Sequence, residues 1–240
     1  MSWETAAVMV VIMVAGMIQG LSGFAFGMVA IALLSWIIDL KDASIILAWP
    51  SLAINLFILW RLRCHFRLER ITPLLLSAVI GAPLGIFFLV HSDPVCFRRV
   101  LGVILLAAVV QRFLPLLKGK AWHPLWLGIP AGLLSGAMSG AFASGGPPVV
   151  AYFSSQNFVH ARFVASVQAG LAAGTAARLL VLMTGHKFAG VNLMLGGAGV
   201  IMAVLGAGVG LLLLPRLNRK VSRAITFTLL VVMALKFTLW

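Results

Sequence analysis

Apolar runs of about 20 residues recur along the whole chain, near residues 5–38, 43–60, 71–90, 98–117, 123–156, 161–184, 189–214 and 221–240. A helix needs about 20 apolar residues to cross the ~30 Å hydrocarbon core of a bilayer. The runs do not alternate apolar and polar positions, unlike the roughly 10-residue strands of a membrane barrel. Charged residues make up 10% of the chain, against about 25% in soluble domains. The chain is therefore read as an all-α polytopic membrane protein. The opening stretch MSWETAAVMVV has an acid and no Lys or Arg. It lacks the basic region of a signal peptide and is expected to be retained. The net charge of +13 would suit nucleic acid, but nearly all 18 Lys and Arg fall between apolar runs. Basic loop residues do this in membrane proteins generally. No soluble basic domain is left to bind nucleic acid, which is set aside as a partner.

Two runs are too long for one simple span. Residues 5–38 and 123–156 each cover 34 positions and are interrupted by glycine, in GMIQGLSGFAFGMVA (Gly16 to Ala30) and GLLSGAMSGAFASGGPPVVA (Gly132 to Ala151). The likeness continues downstream. VIGAPLGIFFL (Val79 to Leu89) matches VLGAGVGLLLL (Val204 to Leu214), and the pattern of residues 98–113 matches that of 222–237. The chain thus divides into two membrane repeats, 1–117 and 121–240, forming one transmembrane domain. Internal repeats of this kind are typical of secondary transporters.

Loop charge indicates how the repeats are related. If each long run crosses once, the two faces receive nine and eight basic residues. If each folds back as a hairpin at its glycines, one face collects twelve and the other five, with Arg178 left inside a span. The positive-inside rule favours the hairpins. Each repeat is then a glycine-broken hairpin followed by three transmembrane helices. The repeats are inverted, both termini are non-cytoplasmic, and Cys64 and Cys96 lie on opposite faces, unable to pair.

A broken helix at membrane depth is tolerated only where it is buried in protein or lines a watery cavity. A helix starting at such a break aims its unpaired N–H groups and its positive dipole end at the site. Together these can hold an anion, and glycine lets it approach the backbone. Pro147 and Pro148 suit the first turn of a half-helix, and Ser144 is a candidate cap or ligand donor. Candidate substrate-binding residues at the breaks are Gln19, Ser22 and Gly23 in the first repeat, and Ser139, Gly140, Ser144, Gly145 and Gly146 in the second. Gly16/Gly20, Gly81/Gly85, Gly132/Gly136 and Gly206/Gly210 read instead as small-residue packing pairs. Residues 161–184 add Gln168 and Thr175, seven apart on one face, and Arg178. Arg178 either faces the cavity or snorkels about 9 Å to the interface. Asn55 and Ser51 occupy the equivalent helix of the first repeat, facing the same cavity or binding helices together.

No carboxylate lies within a span, and all five histidines sit at loop positions. No proton relay is legible, and no nucleophile–base pair or metal set at membrane depth supports an intramembrane enzyme. No cofactor is expected, and the two cysteines lack metal-type spacing. An exported anion needs no relay, since an inside-negative potential favours its exit by about 2.3 kcal/mol per charge per 100 mV.

The glycine-rich segment from Gly132 to Phe153, the GAPLG element (Gly81 to Gly85) and the repeat together resemble the sulfite exporter TauE/SafE family, also called the toluene sulfonate uptake permease family. The resemblance spans essentially the whole chain. GLSGFAFGMVA shows no glycine cluster where the family usually has one, and Ser144 precedes Gly145 and Gly146. What the resemblance implies is transport, usually outward, of sulfite, sulfonates or related organosulfur acids across a bacterial-type inner membrane. The expected partners are a small anion and membrane lipid. A homodimer, and a channel or scaffold subunit without coupling, stay open as alternatives.

Overall fold

In a computed structural model, residues 3–68, 71–113, 124–156, 158–185 and 193–213 are described, with Thr228 and Val231. The protein is an all-helical integral membrane protein. The first long run breaks into α1 (Trp3–Ser22) and α2 (Phe26–Leu34). Gly23 makes the break with φ of +87°, a left-handed backbone open to glycine at no steric cost. After a turn come α3 (Leu40–Ile46) and α4 (Ala48–Arg61), bent by 42° as one broken span. Asp39 caps α3 by accepting the Lys41 amide at 2.8 Å. A short 3-10 turn, Arg63–His65, precedes α5 (Thr72–His91) and α6 (Pro94–Phe113). The second long run breaks into α7 (Pro124–Phe142) and α8 (Gly146–Ser154), followed by α9 (His160–Thr184) and α10 (Leu193–Leu213). The last apolar run, 221–240, apart from Thr228 and Val231, the loops carrying Lys118, Lys120 and Lys187, and the cluster from Arg216 to Arg223 lie outside the described residues.

The arms of each broken run are unequal. At 1.5 Å per residue, the 20 residues of α1 cover about 30 Å and the nine of α2 about 13 Å. The long arm is thus a full span in length and only the return arm is a half-helix. Seven of the nine α2 residues from Phe26 to Ala32, together with Leu34, are buried, so the return arm lies inside the bundle.

Glycine decides which helices touch. Along α1 and α10, a Cβ at Gly16 or Gly20 would strike the Ala203 or Ala207 carbonyl, and one at Gly206 or Gly210 would strike Met13 or Met17. Residue numbers rise together, so the two helices run parallel. Along α7 and α5, Gly136 and Gly140 meet Ala78 and Ala82, while Gly81 and Gly85 meet Leu133 and Ala137. Here too the helices are parallel. Each long arm therefore packs on a helix from the other half of the chain. The outer faces share one spacing, with Leu76, Ile80, Leu84 and Phe87 of α5 and Ile201, Leu205, Val209 and Leu212 of α10 all exposed. Such apolar stripes suit lipid, where only backbone must be satisfied internally. Helices α4 and α9 run antiparallel across the centre. Phe66 clusters with Phe163 and Val167, Asn55 reaches Thr175, and Trp49 and Leu52 pack near Leu179 and Leu182. Cys64 and Cys96 are unpaired and exposed, flanking opposite ends of α5.

Candidate functional site

The two breaks meet inside the bundle. Gly27, near the start of α2, lies against the Ala143 carbonyl, and a Cβ on Gly146 would come within 3.0 Å of the Phe24 carbonyl. The second break turns at Ala143 and not at a glycine, with φ of 55°. A non-glycine residue in this region is strained and often marks a functional site. Beside the junction is a small cavity lined by Gln19, Phe24, Phe26, Gly27, Ser51, Asn55, Ala143, Ser144, Gly145, Leu171 and Thr175. Its interior is about 10 Å³, room for about one water molecule.

A chain of neutral amides and hydroxyls surrounds the cavity. Gln19 Nε2 donates to Asn55 Oδ1 at 3.0 Å and to Gln168 Oε1 at 3.4 Å. Gln19 Oε1 accepts the Phe26 amide at 2.7 Å, covering one unpaired donor of the α2 N-terminus. Gln168 Nε2 donates to the Gly23 carbonyl at 2.7 Å, which fixes the first break. Asn55 Nδ2 reaches Thr175 Oγ1 at 3.5 Å, and the Thr175 hydroxyl donates to the Leu171 carbonyl at 2.7 Å. Two buried hydroxyls on the cavity wall, Ser51 Oγ and Ser144 Oγ, have no partner. Buried polar groups are nearly always satisfied, so two idle donors on one cavity point to a ligand.

Several sequence expectations shift. Ser144 does not cap α8. Gly145 holds the N-cap position and no side chain bonds there, which leaves the Ser144 hydroxyl facing the cavity. Pro147 and Pro148 do occupy the first turn of α8, but each lacks an N–H. They remove donors that an anion would use, so α2 presents the richer N-terminus. Gly140 packs on α5 and Gly146 on Phe24, Ser22 stands outside the cavity lining, and Ser139 serves through its carbonyl. Gln19, Asn55, Ser144, Gly145 and Thr175 line the cavity, with Gly23 and Gln168 one bond away.

Arg178 neither lines the cavity nor snorkels, because it is fully buried. Its Nη1 donates to the Ser139 carbonyl at 2.8 Å, and its Nη2 to the Ser44 carbonyl and hydroxyl at 2.6 and 2.7 Å. The Ser44 hydroxyl donates in turn to the Ala141 carbonyl at 2.6 Å. Arg178 thus donates to a carbonyl in the last turn of α7, where a cation is favoured by the helix dipole. Sequence reasoning missed Ser44, and also Ser135, whose hydroxyl donates to the Gly145 carbonyl at 2.8 Å. A lone serine in an apolar run gives no sign of which backbone it will serve. Gly27 was also missed, although its place four residues after Gly23 is a detectable signal.

No curated protein matches the chain, and no solved structure does. A family model described as Sulfite exporter TauE/SafE matches residues 8–237, nearly the full length. With its helices long and apolar enough to cross a membrane, this chain belongs to the sulfite exporter TauE/SafE family of membrane transporters.

Proposed function

We propose that the protein is a secondary transporter of small sulfur-containing anions, sulfite or an organosulfonate, working outward across a bacterial-type inner membrane. One observation carries the reading: the two helix breaks abut at a buried cavity whose wall holds two unpartnered hydroxyls, Ser51 and Ser144. A sulfur oxyanion offers acceptors on several sides, matching donors that arrive from α2, α4 and the α7–α8 break. The reading includes the two inverted repeats, 1–117 and 121–240. The reciprocal glycine seams and the antiparallel crossing of α4 and α9 support it, since an in-plane two-fold brings equivalent elements together in this way. Alternating access then requires the cavity, with room for about one water here, to widen around a substrate.

The test is thermal stability of the purified protein with sulfite, taurine, sulfoacetate or chloride at fixed ionic strength, followed by flux into proteoliposomes. One sulfur anion is expected to stabilise preferentially, and its flux to saturate and show counter-transport. Equal shifts with all anions, or none, would remove the substrate class. Unsaturable flux without counter-transport would point to a channel instead.

A further inference from the structure

Arg178 is a buried cation with no acidic partner among the described residues. Its hydrogen bonds go to two carbonyls and one hydroxyl, and its Nε has no partner. The described acids, Glu4, Asp39, Asp42 and Asp93, fall at helix starts or in turns. Carbonyl oxygens offset part of the desolvation of a guanidinium but leave its full positive charge in place. That charge lies close to the cavity. The Ser139 carbonyl accepts both Arg178 Nη1 at 2.8 Å and the Ala143 amide at 3.1 Å. Nη1 is therefore within about 6 Å of the backbone nitrogen of Ala143, which lines the cavity. Thr175, another lining residue, is one turn before Arg178 on α9.

We infer that Arg178 is the counter-charge of the cavity and that it limits the transported substrate to anions of a single negative charge. The inference rests on the transporter reading above and deepens it. With neutral donors and one nearby cation, a monoanion brings the closed site to electroneutrality. A dianion leaves it at net −1. The cost of burying an ion grows as the square of its charge, whereas attraction to one fixed cation grows only linearly. A second negative charge is therefore a net loss. Hydrogensulfite and alkylsulfonates fit this rule, while sulfate and fully ionised sulfite do not.

Three probes of nearly one shape separate charge from size: methanesulfonate, sulfate and dimethyl sulfone, with charges of about −1, −2 and 0. Equilibrium binding of each to the purified full-length protein is measured by titration calorimetry. Methanesulfonate is expected to bind tightest. At an effective dielectric of about 20, a charge about 8 Å away is worth a factor of roughly 30. Arg178→Gln should therefore shrink the advantage of methanesulfonate over dimethyl sulfone by about that factor, while Arg178→Lys keeps most of it. An arginine that only braces α7 would lower Tm and weaken all three probes alike. Should Arg178→Gln not fold, the wild-type charge series decides alone. Sulfate binding as tightly as methanesulfonate, or equal binding of all three, overturns the inference and leaves the transporter reading standing. Binding of none overturns both.

Discussion

At Ser51 and Ser144 the needs of folding and of binding diverge. Each hydroxyl is buried without a partner, a cost to stability, since burying an unmade hydrogen bond costs about 1–3 kcal/mol. Ser51→Ala and Ser144→Ala are expected to leave Tm unchanged or slightly raised. Each should weaken anion binding by about 1.5–3 kcal/mol, the worth of a hydrogen bond to a charged group. A lower Tm with unchanged affinity in a melting and titration series would refute this assignment. Ala143 tells a related story. Its left-handed backbone costs an alanine roughly 1 kcal/mol, and more for a β-branched side chain. Ala143→Gly should relieve part of that strain and Ala143→Val should lower Tm clearly, both read by thermal melting. Asn55 and Thr175 were legible as polar residues in apolar helices. That the idle hydroxyl at the second break belongs to the cavity and not to a cap was not legible, because it depends on the backbone angles at residues 143–145.

Helices in this protein are joined through glycine, and the same residue type has opposite value at different places. A Cβ at Gly85 would strike the Ala137 carbonyl and backbone beyond it, whereas one at Gly197 or Gly208 meets nothing within 4 Å. Gly85→Ala should force α5 from α7 and cost about 1–3 kcal/mol. Gly197→Ala and Gly208→Ala should stabilise α10 by up to about 1 kcal/mol, through helix propensity. Melting of the three variants in one detergent compares them directly; equal Tm values would show that the seams do not hold the bundle. Small-residue spacing marked the pairs Gly16/Gly20, Gly81/Gly85, Gly132/Gly136 and Gly206/Gly210 as contacts from sequence. It could not say which pair meets which, because every one of them offers a similar flat surface.

On the scale of the whole molecule, the proposed orientation in the bilayer rests on loop charge. Cys64 stands beside the Arg61–Arg67 cluster, before α5. Cys96 stands at the start of α6, just beyond the opposite end of α5. Lys41, whose Nζ donates to the Ser92 carbonyl at 2.6 Å, lies on the Cys96 side. The positive-inside rule places the Arg61–Arg67 cluster in the cytoplasm. A membrane-impermeant thiol reagent on intact cells should then label Lys41→Cys in a cysteine-free background. Arg63→Cys should label only after permeabilisation. The reverse pattern would invert the topology and turn the proposed exit route around.

Sequence alone determined that this chain lives in a membrane, breaks two of its helices at matched places and repeats its glycine pairs, because hydropathy, proline and glycine act locally. It also marked Gln19, Asn55, Gln168, Thr175 and Arg178, since each is costly in hydrocarbon wherever it points, but not Ser44 or Ser135. Tertiary structure decided what they do. It sent Arg178 to the carbonyl end of α7, gathered Gln19, Asn55 and Thr175 around one cavity, and exchanged the long arms between the halves. Those choices depend on contacts between residues on different helices, 39 positions apart for Arg178 and Ser139 and 120 for Asn55 and Thr175. No local pattern encodes them, because each is settled by which backbone donor or acceptor the assembled bundle leaves unpaired.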